Sequence, residues 1–280
     1  VSTRGAAERT GGGPILLTAL LALTCSCAAV RPPDLAARTS GRDPLLAVVT
    51  WNLHAGRGDL PRLVDDLTSG RLTGAPVHDY VILLQEAIQG GRHDVTEFAR
   101  HRGLSAVFEP MWTTDRGASG IAIVASVPFE TVRVVELPRV RRVRKAVIAT
   151  IDTDGRRLFA AGTHFENRVE WLRGVLFFSE AARARQAAAL VDALPEGPGF
   201  VGGDLNTWLG PDEGAARALR GRFEDTPRDA AEPTFRDRLV LDHLFFDLPE
   251  EWEAARDVVA ERYGSDHNPV VGVILKRERL

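Results

Sequence analysis

Apolar runs along this chain repeatedly end on a polar residue that can hold a cation or move a proton. Residues 45–52 form one such run, read as a buried strand closing on Trp51-Asn52, and residues 80–84 repeat the arrangement ahead of Gln85-Glu86. Further strand patterns lie at 106–108, 120–125, 132–137, 146–151, 158–164, 199–202, 239–246 and 269–275, with Asp154-Gly155 supplying a hairpin turn. Between them, 60–67 and 95–101 carry helical spacing. Residues 169–194 read as the longest helix, because Ala187, Leu190, Val191 and Leu194 fall at i, i+3, i+4 and i+7 and make one buried stripe. Strands mixed with helices predict a layered α/β fold, in which side chains at strand ends are free to converge.

The side chains at those ends form an ordered series: Trp51-Asn52, Gln85-Glu86, Thr163-His164, Gly203-Asp204-Leu205-Asn206, Leu241-Asp242-His243 and Ser265-Asp266-His267. Carboxylate and amide oxygens suit a hard divalent cation, and a histidine beside them can move a proton or hold a phosphate oxygen. Each motif alone has a plain structural reading, as a turn, a strand end meeting solvent or a satisfied edge histidine. Six together in one chain point to a single metal-dependent site that cleaves phosphate esters. Such esters resist hydrolysis because the anion repels hydroxide; a cation neutralises that charge and positions water. Asp266 directly precedes His267 and cannot pair with it through adjacency, so Asp204 or Asp242 is expected to orient one imidazole across space.

In this order and with these neighbours the motifs resemble the endonuclease/exonuclease/phosphatase superfamily, over roughly residues 45–275. The resemblance implies a single-domain, four-layer α/β sandwich, two packed mixed β-sheets flanked by helices, with the site at one edge. It implies that Asn52 and Glu86 hold the metal, Glu86 foremost, and it adds Asp204 and Asp266 to the metal set. Asp204 would also orient the attacking water or a second metal, and Asn206 would bond a phosphate oxygen. His267 would act as base or phosphate ligand, Asp242 would support a catalytic histidine, and His164 would assist the leaving group. The implied cofactor is Mg²⁺, with Mn²⁺ or Ca²⁺ as substitutes. The implied substrate is a phosphate ester, nucleic acid among the candidates, with a phosphodiester favoured. The alternatives are a phosphomonoesterase or phospholipid phosphodiesterase acting on a lipid or sugar phosphate, or a binding module on the same fold without catalysis. His164 argues against the abasic-site endonuclease branch, for which a tyrosine arrangement is expected.

At 280 residues and 44% hydrophobic, the chain can bury one large core. Arg4 and Arg9 precede an apolar run at 14–24 and small residues at 25–30, which resembles a secretory signal with its apolar stretch of about 7–15 residues. Cleavage after Ala28 fits, and Cys25 and Cys27 also allow a lipoprotein signal. The expected order is a signal peptide at 1–28, a linker without a packed face at 29–44 and the catalytic domain at 45–280, secreted or lipid-anchored at the cell envelope. Both cysteines fall in the leader, so the domain needs neither disulfide nor thiolate chemistry. Removing 1–28 takes away Arg4, Arg9 and Glu8 and moves the net charge from −3 to −4, which is no advertisement for nucleic acid.

Arg139, Arg141, Arg142, Arg144 and Lys145 make the one dense basic segment, read first as a solvated hairpin and second as a guide for a phosphate-rich substrate. Trp112 and Trp208 read as packing residues, with stacking on a base or sugar as the second reading. His54, His78, His93 and His101 show no ligand spacing and are assigned to surface or core. Substrate choice is expected to lie in loops at 56–59, 109–119 and 225–238. A monomer is expected, with no stable protein partner and membrane contact only through a lipid anchor.

Overall fold

The computed structural model describes residues 35–167, 170–172, 175–177, 179–227 and 232–278. The expected signal peptide and the start of the expected linker lie outside them. The rest of the linker contains a helical turn, α1 (Leu35–Thr39), whose Leu35 and Thr39 are buried.

In chain order there follow β1 (Leu46–Asn52), α2 (Leu60–Thr68), β2 (Tyr80–Gln89), α3 (Val95–His101), β3 (Ser105–Thr114), β4 (Gly117–Ala125) and β5 (Thr131–Leu137). Next come β6 (Arg144–Thr153), β7 (Arg156–His164), β8 (Glu170–Leu172), β9 (Val175–Phe177), α4 (Glu180–Ala193) and β10 (Gly199–Asp204). The last elements are α5 (Gly214–Arg220), β11 (Asp242–Asp247), β12 (Trp252–Val258) and β13 (Val270–Lys276). One sheet has the order β12-β13-β1-β2-β4-β3 and the other β11-β10-β7-β6-β5, both mixed, while β8 and β9 pair only with each other.

Period-two alternation assigns the layers. Leu46 and Val48 of β1 join Val81, Leu83, Ala160, Phe200, Leu244 and Phe246 in the core between the sheets. Ala47, Val49 and Trp51 face the other way, onto a core that includes Leu63 and Leu67 of α2 and Val95 of α3. A third core joins Phe159, Ala161 and Phe245 to Leu190 of α4 and Leu219 of α5. Both sheets are thus covered on their outer faces, giving the expected four layers, and β1 is buried along its whole length, with an apolar run from Leu46 to Val49. The two sheets approach closely at Gly202, where a Cβ would lie 2.8 Å from Leu83 Cδ1 and 2.9 Å from Thr50 Cβ.

Three expectations change. The long helix is confined to α4, preceded by the β8–β9 hairpin: the apolar text Trp171-Leu172 and Val175-Leu176-Phe177 suits a strand as well as a helix, and periodicity cannot separate them. Part of that expected helix, at 169, 173–174 and 178, falls outside the described residues. The expected loop at 109–119 is the far end of the β3–β4 hairpin, with a register shift between Pro110 and Trp112, where proline has no N–H to give the ladder. Finally, β2 continues past the expected end at Leu84 through a bulge between Leu84 and Ala87.

Candidate active site

Strand register collects the expected residues. Parallel pairing of β10 with β7 sets Asp204 beside His164, and antiparallel pairing with β11 sets Asp204 beside Asp242. All three share the alternation parity that faces the opposite sheet, as does Asn52 at the end of β1. Asn52 Nδ2 crosses the gap and donates to Asp204 Oδ2 at 3.0 Å. Glu86 sits in the β2 bulge with φ 51°, a left-handed conformation that turns its carboxylate out of the strand's alternation. Asn206, also left-handed at φ 54°, closes the turn after β10, its backbone N–H donating to Asp204 Oδ1 at 2.9 Å.

The segment 265–267 is pinned to the end of β1. Ser265 Oγ donates to the Asn52 carbonyl at 2.7 Å, His267 N donates to Ser265 Oγ at 3.1 Å, and Trp51 Nε1 donates to the His267 carbonyl at 3.1 Å. The His267 ring then meets Asp242, with Nδ1 and Oδ2 2.7 Å apart, and Phe235 covers it with ring centroids 4.7 Å apart. Asp242 is therefore the carboxylate partner of His267, while Asp204 Oδ2 lies 3.5 Å from His164 Nε2. Asp266 points elsewhere, toward His54 and Arg236. Asn52, Glu86, His164, Asp204, Asn206, Asp266 and His267 line one cleft of about 480 Å³.

Burial and neighbouring charge divide the titratable groups. Burial alone would lower His267, but the Asp242 charge and hydrogen bond raise it to about 9, so it is an imidazolium near neutrality. His164 is held well below the usual range, first by burial and then by the Arg144 cation, and is neutral. Burial, together with the Asp242 charge, pushes Asp204 up to about 7, where a carboxyl can take or give a proton. His243, one residue past Asp242, has the opposite parity, stacks on Phe245 and lies 2.8 Å from Thr207 Oγ1. Burial and then Arg256 and Arg220 push it down to about 3, and it belongs to the outer core.

Asp204, Asp242 and His267 bring ligand atoms within 4.8 Å of one another among the described residues. In that group His267 Nδ1 and Asp242 Oδ2 are committed to each other at 2.7 Å, which makes it a poor cation cage. Asn52, Glu86, Asp266 and Asp204 also line the cleft and offer the oxygens a hard divalent ion takes, but the Glu86, Asp204 and Asp266 carboxylates do not all come within 4.8 Å of one another among the described residues. When bound, such an ion neutralises phosphate charge and activates water.

Two residues escaped the sequence reading. His54 lies in the cleft, its Nδ1 3.3 Å from Asp266 Oδ1, although nothing in its spacing suggested a role. Arg144, read first as part of a solvated segment and second as a guide for substrate, is only 2% exposed. Its guanidinium lies 5.7 Å from the Trp112 ring, which in turn stands 6.1 Å from the His164 ring. Glu166 Oε1 is 3.6 Å away, and Arg144 Nε and Nη1 have no hydrogen-bond partner among the described residues. Lys145, its neighbour, instead ties β6 to Glu109 of β3. Trp112, half-buried, is engaged by Arg142 and Arg144, and Trp208, half-buried and lining the cleft, donates to Asn206 Oδ1 at 3.1 Å.

Comparison with solved structures returns the same sandwich. The human Nocturnin catalytic domain with bound sulfate anion is 18% identical over 84% of this chain and 94% of that one, with TM-score 0.62. D. rerio TDP2 complexed with single strand DNA product is 16% identical over 82% and 98%, with TM-score 0.53. The mannosyl-6-phosphatase of Bacteroides thetaiotaomicron is 13% identical over 82% and 99%, with TM-score 0.56. Among curated proteins none matches the sequence. The sequence profile of the Endonuclease/Exonuclease/phosphatase family matches residues 49–267, from within β1 to the paired histidine. By that match and by its fold, the chain belongs to the endonuclease/exonuclease/phosphatase family of divalent-metal-dependent enzymes that hydrolyse phosphate esters.

Proposed function

We propose that the protein hydrolyses a phosphodiester with Mg²⁺ as cofactor, Mn²⁺ or Ca²⁺ serving in its place, and that it works outside the cytoplasm, secreted or lipid-anchored. The apolar run at 14–24, preceded by Arg4 and Arg9 and followed by the small residues at 25–30, supports the location. Fold likeness spans a DNA-product complex and a sugar phosphatase, so the choice of ester rests on this chain's own residues. The observation that carries it is the placing of cationic side chains on both sides of Asp204. Arg144, with donors to spare, lies on the His164 side, while Arg236 and Arg238 line the cleft beside His267. A diester continues on both sides of its scissile phosphate, so it can lie against Arg236 and Arg238 on one side and within the field of the buried Arg144 on the other. Asp204, tied to Asn52 and the Asn206 N–H, is placed to orient the attacking water, and His267 presents a charged N–H to a phosphate oxygen or departing alkoxide.

Two substrates test the reading: bis(p-nitrophenyl) phosphate and p-nitrophenyl phosphate, each with Mg²⁺ and with EDTA, followed by nicking of supercoiled plasmid. The diester should be cleaved in Mg²⁺ and spared in EDTA. Turnover of the monoester alone would transfer the proposal to a phosphomonoesterase, and nicking would identify nucleic acid as one diester it takes. Arg144→Met should lower kcat/KM for the diester by about 10²–10³, read well below the melting transition, and should also lower the melting temperature, because it leaves the buried Glu166 carboxylate without its cation. Unchanged kcat/KM would remove Arg144 from the site.

A further inference from the structure

One short turn, residues 54–58, touches three of the oxygen side chains expected to hold the cation. The backbone N–H of His54 donates to Asn52 Oδ1 at 2.9 Å, and that of Ala55 donates to Glu86 Oε2 at 2.8 Å. The His54 ring reaches the third, Nδ1 lying 3.3 Å from Asp266 Oδ1. Arg57 Nη1 stands 3.0 Å from His54 Nε2. A guanidinium has donors only, so Nε2 accepts and the ring proton sits on Nδ1, the nitrogen 3.3 Å from Asp266 Oδ1. With one nitrogen accepting and the other protonated, this imidazole has no lone pair free for a cation.

The turn is a costly one. His54, Ala55 and Gly56 have φ values of 49°, 52° and 69°, three left-handed residues in succession, of which only the glycine adopts that conformation freely. At Gly56 a Cβ would come within 2.5 Å of Ile88 Cγ1, so the turn is seated on β2 two residues past Glu86. Arg116, from the β3–β4 hairpin, adds a contact to the Ala55 carbonyl at 3.4 Å. Left-handed non-glycine residues persist where the surroundings over-determine them, and they cluster at functional sites. Here the hydrogen bonds that fix the turn end on cation ligands.

We infer that residues 54–58 organise the cation site, and that His54 is a positioning residue whose N–H orients the Asp266 carboxylate alongside Asn52 and Glu86. The inference takes the identity of the ligands from the proposed phosphoesterase site and adds what sets their geometry. Partners of metal ligands are typically worth about 10–100-fold in metal affinity.

The test is calorimetric titration of the full chain with Mn²⁺, without substrate, for the native protein, His54→Ala and His54→Asn. Asparagine tolerates the left-handed region and places an N–H close to that of imidazole Nδ1. The His54→Ala protein should bind Mn²⁺ about 10–100-fold more weakly and His54→Asn should recover most of that loss, with all three melting alike in EDTA. Native affinity in His54→Ala would overturn the inference. So would a His54→Asn protein as weak as His54→Ala, a native chain that binds no Mn²⁺, or nitrogen coupling from a directly bound imidazole in the pulsed EPR spectrum of the native Mn²⁺ complex. Failure to cleave bis(p-nitrophenyl) phosphate with Mn²⁺ binding intact would instead sink the proposed activity and leave the role of His54 standing.

Discussion

Replacing His267 with glutamine, or Asp242 with asparagine, is expected to cut diester turnover by about 10²–10⁴, the usual range for losing a positioned proton-transfer group. The ring has one carboxylate partner, Asp242 Oδ2 at 2.7 Å, and Phe235 holds it from another side. Asp242→Asn keeps the packing but withdraws the charge that raises the imidazole. The two variants should therefore fail alike in kcat, and the double variant should be little worse than either. Stability separates them from a simple active-site loss. Because both groups are buried, His267→Gln strands the Asp242 charge and should cost about 3–5 kcal/mol in urea unfolding. The pH dependence follows from the sign of the shift. With its folded pKa raised from 6.5 to about 9, His267 contributes fully below about pH 6.5, and that contribution is lost as pH rises through about 9. Asp204, raised from 3.8 to about 7, loses stability over the lower window between those values, so the decline above pH 7 belongs to His267. Melting temperatures in EDTA from pH 6 to pH 10 should fall for the native protein and much less for Asp242→Asn; parallel curves would refute the charge pairing.

Local pattern carried the fold as far as each residue's role was local. The strands at β1, β7, β10 and β13 were legible because they are buried on one or both faces and end at chemistry-bearing residues. The helix α3 was legible to the residue, its start fixed by Asp94 accepting from Thr96 and Glu97 backbone N–H groups. Strand β12 was not, since Trp252-Glu253-Ala254-Ala255-Arg256-Asp257-Val258 lies at a sheet edge, where half-buried polar residues blur alternation. The Glu86 bulge could not be read either, because it depends on what β4 offers opposite it. At the site, the residue types and the expectation that Asp204 or Asp242 would hold an imidazole came from sequence alone. The choice of Asp242, the burial of Arg144 and the contact of His54 with Asp266 depend on ladder register and on loops meeting across the sandwich. No spacing along the chain encodes those.

Arg183→Met should be the most destabilising single change outside the cleft, lowering stability by about 3–5 kcal/mol, because it leaves the Glu213 carboxylate buried without its cation. Arg183 is 1% exposed and grips Glu213 through Nε at 2.9 Å and Nη2 at 2.6 Å. Its Nη1 donates to Ser179 Oγ at 2.7 Å, and Ser179 Oγ donates to the Asn167 carbonyl at 2.5 Å. On the other side Glu213 Oε1 accepts the Leu209 backbone N–H at 2.6 Å. One ion pair therefore fastens the segment after His164 to the segment after Asn206. Those segments also meet inside the cleft, where Asn206 Nδ2 donates to the Phe165 carbonyl at 3.2 Å. Replacing the pair with Met and Leu should recover much of the lost stability, since well-packed apolar residues often substitute for buried ions without loss. It should not recover turnover. The Leu209 N–H would still lack its acceptor, and Trp208 beside it, which donates to Asn206 Oδ1, would be held less firmly. Urea midpoints and kcat measured on the single and paired variants decide it: midpoints restored with kcat still depressed assign the pair to holding the site in register, whereas joint recovery would make it a stability element alone.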